Sequence, residues 1–156
     1  MAINYRKANI DDVPELVRLR LDFLSDASRE TRITDEQRAI LRVTNADYFT
    51  NGLLDGDLVV FLAMDSEKIA ATSGIMFWRH LPGLATLDGR KAVIANMYTL
   101  PEYRKQGIAT ELMKLQIAEA KTRGVTVVNL SATAMGRAVY EKLGFETDET
   151  EMKIKI

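Results

Sequence analysis

Apolar and polar residues alternate through INYRKA (3–8), the period of a strand with one face buried. Beyond Asn9 and Asp11, either of which can cap a helix that tolerates Pro14 in its first turn, the period lengthens. Val13, Val17, Leu21 and Leu24 form an apolar stripe, with Arg18, Asp22 and Asp26 at i, i+4 spacing on the other side; a helix to about Asp26 is predicted. A second helix is predicted near Thr34 to Phe49, ending at TNG (50–52). The β-rich runs DLVVFLAMD (57–65) and KIAATSGIMFWR (68–79), joined by Ser66 and Glu67, predict a hairpin. KAVIANMYTL (91–100) is a further strand, closed by Pro101. Then follow a helix from Gly107 to Arg123, a strand VTVVNLS (125–131), a helix MGRAVYEKL (135–143) and a strand pair from GFET (144–147) and EMKIKI (151–156). The order β-α-α-β-β-β-α-β-α-β-β predicts an α/β fold of mixed α and β layers, with one parallel crossover through the helix after Gly107.

Composition narrows the function. With 156 residues, 47% of them apolar, the chain suits one domain over 1–156 with one core that needs no disulfide or structural metal. No repeat, low-complexity linker or break in composition divides it. Lys and Arg number 21 against 22 Asp and Glu, so net charge gives no reason to expect nucleic acid or an anionic membrane as partner. Binding must come from a local site. There is no cysteine and one histidine, His80, which excludes thiol nucleophiles, redox pairs and ordinary Cys/His zinc sites; no metal is expected. The N-terminal residues do not resemble a signal peptide and no apolar run is long enough to span a bilayer, so a soluble, cytoplasmic protein is expected.

One stretch carries chemistry: PEYRKQGIAT (101–110). A strand ending at Leu100, a short loop and a helix beginning near Gly107 place free backbone N–H groups and the positive end of a helix dipole at the strand's C-terminal edge. Gly107 has no Cβ to hold a ligand off the backbone, Ala109 is nearly as small, and Arg104 and Lys105 add charge where a phosphate would lie. The plainer reading is that Gly107 eases a turn and the cations are solvated. Neither G-x-x-x-x-G-K-[ST] nor G-x-G-x-x-G occurs, which disfavours ATP and NAD.

Arg104-Lys105-Gln106-Gly107-Ile108-Ala109 resembles the [RQ]-x-x-G-x-[GA] pyrophosphate loop of the GNAT superfamily of acyl-CoA-dependent N-acetyltransferases. NMYTLPEYR before it and AVYEKLGFE (138–146) after it resemble the family's central strand and its C-terminal helix and turn, and the element order fits throughout. The resemblance implies a mostly antiparallel, splayed central sheet flanked by helices, with acetyl-CoA as co-substrate. It also implies that the amides of Gln106, Gly107, Ile108, Ala109 and Thr110 hold the pyrophosphate, with Arg104 and Lys105 at the rim. The backbone of Met97, Tyr98 and Thr99 would pair with the pantetheine arm, because the central strand and the strand at 125–131 part and leave N–H and C=O groups free. An N–H of the central strand would then polarise the acetyl carbonyl.

Tyr140 matches the tyrosine with which family members protonate the departing thiolate; a neutral phenol can donate at pH 7. Without the resemblance, Tyr140 reads with Val139, Leu143 and Phe145 as the buried face of the last helix. Where many relatives carry Asn, this chain has Thr133, whose hydroxyl could replace one of its contacts to the pantetheine arm. The acceptor would be a small-molecule, peptide or protein amine, drawn past the first two helices by Asp22, Asp26, Glu30, Asp35 and Glu36. No general base is assigned: Asp22, Asp26 and Glu30 read better as a solvated helix face, and His80 as a surface loop residue. Phe77, Trp78, Leu81 and Tyr98 read as core before they read as pocket wall. With no cysteine and no G-x-S-x-G elbow, direct transfer in a ternary complex is expected. The alternatives are an idle acyl-CoA-binding sensor and an interaction protein that binds no cofactor; a homodimer is compatible with each.

Overall fold

In the computed structural model, which describes residues 2–27 and 32–156, the sheet is built outward from a hairpin. Leu58–Asp65 (β2) and Lys68–Arg79 (β3) pair antiparallel across the turn at Ser66 and Glu67, as two β-rich runs joined by a short turn predict. Ile3–Lys7 (β1) adds antiparallel to β2, and Arg90–Thr99 (β4) antiparallel to β3. Val128–Leu130 (β5) adds parallel to β4. The result is a five-stranded, mostly antiparallel sheet in the order β1-β2-β3-β4-β5, flanked by helices on both faces.

Val13–Ala27 (α1) and Asp35–Asp55 (α2) cover one face. The apolar stripe of α1 is wider than its i, i+4 pattern indicates: Leu16 and Leu19 are buried along with Val13, Val17 and Leu21. Helix α2 begins on a reciprocal capping box, Thr34 Oγ1 accepting from the Gln37 N–H at 3.1 Å and Gln37 Oε1 from the Thr34 N–H at 3.0 Å. It does not stop at TNG but runs on to Asp55. Gly52 is there for space, since a Cβ on it would stand 2.6 Å from the Cβ of Leu58, where the helix crosses β2.

Ile108–Thr122 (α3) covers the opposite face and makes the crossover from β4 to β5. Its far end is fixed by Glu119, which pairs with Lys7 at 2.7 Å, and by the Arg123 guanidinium lying 4.2 Å from the centre of the Phe77 ring. Arg137–Lys142 (α4) follows β5. The expected strand at 125–131 shortens to three residues, and the expected pair at 144–147 and 151–156 does not form. An alternating segment becomes a strand only where an edge offers it partners, and β5 offers three residues; Met152, Ile154 and Ile156 remain exposed. No helix among the described residues is long and apolar enough to cross a membrane.

Candidate functional site

The loop after β4 is held at several points. Pro101–Tyr103 form a 3-10 turn; the Tyr103 hydroxyl donates to Asp65 Oδ2 at 2.7 Å and Gln106 Nε2 to the Glu102 carbonyl at 3.2 Å. Lys105 and Gly107 both have positive φ, 61° and 79°, and the chain turns there into α3. Gly107 is the residue before the first helical position and brings no side chain to cap it, so the first N–H groups of α3 have neither an intrahelical acceptor nor a side-chain one. A Cβ on Gly107 would meet nothing within 4 Å, which leaves open space in front of those donors. Ile108 is buried and anchors the helix; Ala109 and Thr110 are half-buried.

The two cations of the loop differ. Arg104 Nε donates to the Thr99 carbonyl at 3.0 Å and Nη2 to Asp26 Oδ2 at 3.2 Å, so its charge is committed to α1. Lys105 is exposed, with no ion-pair partner among the described residues, and is the cation available at the rim.

Strand β4 pairs with β5 only through Ala92, Val93 and Ile94. From Ala95 to Thr99 it has β3 on one side and no strand on the other. The Leu100 N–H donates to the Ala70 carbonyl on β3, so by alternation Tyr98 also turns its N–H and C=O to β3, while Met97 and Thr99 turn theirs to the free edge, where the Thr99 carbonyl accepts from Arg104. Met97 and Thr99 are half-buried. Tyr98 is buried beneath α1: its ring meets Phe23 edge-on at 5.9 Å and its hydroxyl donates to Asp26 Oδ2 at 2.9 Å. Burial first, then the hydrogen bond to Asp26 and its charge, push the Tyr98 phenol up to about 12. Tyr98 is thus tied into the fold by its side chain under α1 and by its backbone against β3.

Beside the point where β4 and β5 part lies a cavity of about 290 Å³, lined among others by Val93, Leu130, Ser131, Arg137, Tyr140 and Phe145. Tyr140 is 9% exposed and meets Phe145 edge-on at 6.1 Å. Its hydroxyl has no hydrogen-bond partner among the described residues, and burial holds the phenol above its ordinary value. A Cβ on Gly136 would come within 2.9 Å of Tyr140 Cε2 and 3.1 Å of its hydroxyl, so the missing side chain there gives the ring its place. Thr133 is exposed; its hydroxyl accepts from the Gly136 N–H at 3.2 Å and its carbonyl from the Arg137 N–H at 3.1 Å. These bonds hold the turn that leads into α4, and the hydroxyl keeps its proton and a second lone pair for another partner.

An uncapped helix N-terminus, a glycine with open space before it, a free strand edge and a buried tyrosine therefore follow one another along β4, α3 and α4. A family model described as the acetyltransferase (GNAT) family matches residues 20–145. The chain belongs to the GNAT acetyltransferase family. It is similar to a protein of Clostridium acetobutylicum described as a predicted acetyltransferase, whose crystal structure holds acetyl-CoA: identity is 34%, the TM-score 0.90, and the match covers 99% of this chain and 96% of that one. A GCN5-related N-acetyltransferase from Ralstonia eutropha is 26% identical, with a TM-score of 0.88 and 99% of both chains covered. Glucosamine-6-phosphate N-acetyltransferase from Arabidopsis thaliana, 19% identical with a TM-score of 0.71 and 99% of both chains covered, shares the fold. No curated protein matches the chain.

Of the residues considered for the acceptor, Asp22 and His80 lie where their plainer readings put them, and Asp26 and the aromatics do not. Arg18 takes Asp22 at 2.7 Å and Glu15, whereas Asp26 leaves that face of α1 and ties Tyr98 and Arg104 together. Glu30 lies outside the described residues, and Asp35 and Glu36 occupy the exposed first turn of α2. His80 is exposed beside Trp78, and Phe77, Trp78 and Leu81 lie toward the far end of β3 from Thr72, the partner of Tyr98. These aromatics do not form one wall with Tyr98. Asp26 as a clamp, the room at Gly136 for Tyr140, and a bulge in β4 at Asn96 left no motif in the sequence; Asn96 alone carried a signal, an asparagine inside a strand pattern.

Proposed function

We propose that this protein transfers the acetyl group of acetyl-CoA to a primary amine, directly and within a ternary complex, and that 1–156 acts as one acyltransferase domain. The observation that carries the reading is the open, uncapped α3 N-terminus at Gly107, set at the end of a strand whose edge is free from Ala95 to Thr99. Acetyl-CoA brings a pyrophosphate, two pantetheine amides and a thioester, and the chain offers a matching group for each. The amides of Gln106, Gly107, Ile108, Ala109 and Thr110 face the pyrophosphate, with Lys105 adding charge at the rim and Arg104 bracing the loop from behind. Of the strand Met97, Tyr98 and Thr99, the outward groups of Met97 and the Thr99 N–H take the amides of the arm as a strand takes a neighbour, with the Thr133 hydroxyl as a further donor.

For the transfer, the lone pair of a neutral amine attacks the thioester carbonyl carbon, the C–S bond breaks, and sulfur receives the proton of Tyr140. The surplus proton on the new amide nitrogen returns to Tyr140 or solvent. Burial suits Tyr140 to this role, because it keeps the phenol protonated well above neutral pH, while a thiolate of parent pKa about 8.5 leaves more readily when it meets a donor. The acceptor is a small-molecule, peptide or protein amine.

The test is a thermal-shift series with acetyl-CoA, ATP and NAD, followed by an amine panel read by free CoA thiol. Acetyl-CoA at a hundredfold excess over Kd is expected to stabilise by about 2.7 kcal/mol. Stabilisation by ATP or NAD and none by acetyl-CoA would overturn the reading. Acetyl-CoA binding with no thiol released across the panel would replace it with the sensor.

A further inference from the structure

The charges around the cavity at Tyr140 are unevenly shared. Its floor is apolar and turned inward: Val93, Leu130 and Phe145 are half-buried and Tyr140 is buried. Its rim is exposed and mostly of one sign, with Glu141, Glu146, Asp148 and Glu151 against the single cation Arg137. Arg137 is taken up by Glu141 at 3.4 Å and by the Thr147 hydroxyl at 3.2 Å. Asp148 accepts from the Thr150 N–H and hydroxyl, and Lys91 on β4 is close enough to act on its charge. Glu146 and Glu151 have no ion-pair partner among the described residues.

Four carboxylates in solvent would by themselves be a hydrated face. The tyrosine beneath them points to more. The Tyr140 side chain is nine-tenths buried, lines the cavity and has no hydrogen-bond partner for its hydroxyl among the described residues, a costly state unless a ligand completes it. The cavity of about 290 Å³ has the room of about ten waters, enough for a small extended molecule and too little for a folded segment.

Floor and rim favour different protonation states of an amine. Among apolar side chains the charged form is disfavoured, which leaves the neutral amine that attack on a thioester requires. Among the rim carboxylates the ammonium is favoured. A molecule with one amino group satisfies one of these surroundings; two amino groups on an aliphatic spacer satisfy both. The acids on α1 offer no comparable place, since Asp22 is engaged by Arg18, and Asp26 by Tyr98 and Arg104.

We propose that the acceptor is a small aliphatic diamine or polyamine that enters through this cavity, with one amino group neutral on the floor beside Tyr140 and another held as an ammonium by Glu146 and Glu151 at the rim. The inference rests on the acyl transfer proposed above and names its substrate class. Glu146 and Glu151 act on specificity alone, because they meet the part of the acceptor that does not react.

The probes are spermidine, putrescine, butylamine and γ-aminobutyrate as acceptors, read by free CoA thiol, with titration calorimetry of spermidine into the CoA-saturated protein as a readout that needs no turnover. Spermidine and putrescine exceed butylamine in kcat/KM, and butylamine exceeds γ-aminobutyrate, with the differences in KM. Replacing both rim acids, Glu146→Gln with Glu151→Gln, raises the KM and the calorimetric Kd of spermidine by about tenfold, a few-fold for each exposed ion pair, and raises the KM of butylamine less. The contrast shrinks as added salt screens the rim. Acetyl-CoA affinity, set at Gly107, checks that the variant is folded. Butylamine or γ-aminobutyrate used as well as putrescine, spermidine that does not bind the CoA complex, or a folded double variant with unchanged spermidine Kd overturns the inference and leaves the acyl-transfer reading standing; a wild type that binds no acetyl-CoA overturns both.

Discussion

Replacing Gly107 by valine separates the two readings of the loop, as a ligand cradle and as a mere turn. No clash arises within the protein, since a Cβ there meets nothing within 4 Å, so the folding cost comes from the backbone. At φ 79° an L-residue gives up about 1–2 kcal/mol, and a β-branched one somewhat more. Against a typical stability of about 5–15 kcal/mol the variant stays folded. Its melting temperature falls by roughly 2–4 °C for each kcal/mol in a domain of this size. Binding suffers separately. The branched side chain stands where the pyrophosphate would approach the α3 amides, and losing two charged hydrogen bonds at about 1.5–3 kcal/mol each weakens CoA by roughly 10²-fold to 10⁴-fold. Gly107→Ala shows a smaller loss of the same kind. Scanning calorimetry without ligand and titration calorimetry with CoA measure the two effects independently. A folded Gly107→Val variant with wild-type CoA affinity refutes the cradle, because the turn reading predicts the stability loss alone.

Tyr140→Phe keeps the ring against Phe145 and most of the CoA affinity, and lowers kcat by about 10²-fold to 10⁴-fold; an unchanged single-turnover rate removes Tyr140 from the mechanism. Tyr98 makes stability pH-dependent at the alkaline end: its phenol is raised from 10.0 to about 12, so its contribution is complete below pH 10 and is lost as the pH rises through 12. Tyr98→Phe removes that part of the alkaline loss, and a melting-temperature profile unchanged by the substitution refutes the assignment. Thr34→Ala opens the capping box at the start of α2 and costs about 1 kcal/mol, read as a lower urea midpoint at unchanged m.

Features that repeat over a short stretch were legible in the sequence. The β2–β3 hairpin, the stripe of α1 and the strand-loop-helix around Gly107 all rest on local period and turn chemistry, and they lie where the pattern puts them. The misplacements share another cause. Gly52 reads as the end of a helix, but its role depends on Leu58 crossing it, a contact that no local pattern records. Asp26 reads as one of a row paired to Arg18, and its actual partners are 72 and 78 positions away along the chain. EMKIKI has the alternation of a strand, but whether a strand forms depends on the edge it meets. For the candidate site, spacing indicates the cradle, while the committed charge of Arg104 and the bulge at Asn96 come from tertiary contacts.

Helix α3 has the proposed cradle at its start and, farther along, buried Gln116, whose side-chain amide donates to the Ser73 carbonyl, and this sets its tolerance to insertion and deletion. One residue added between Ile108 and Gln116 would turn the amide by about 100° and carry it about 1.5 Å along the axis, away from the Ser73 carbonyl. The stretch from 107 to 116 can therefore vary in many of its letters but not in their number. The loop at 80–89 is under no such constraint: with Leu81, Leu84 and Leu87 in solvent, extra residues there would leave the sheet and both ends of this ruler in place.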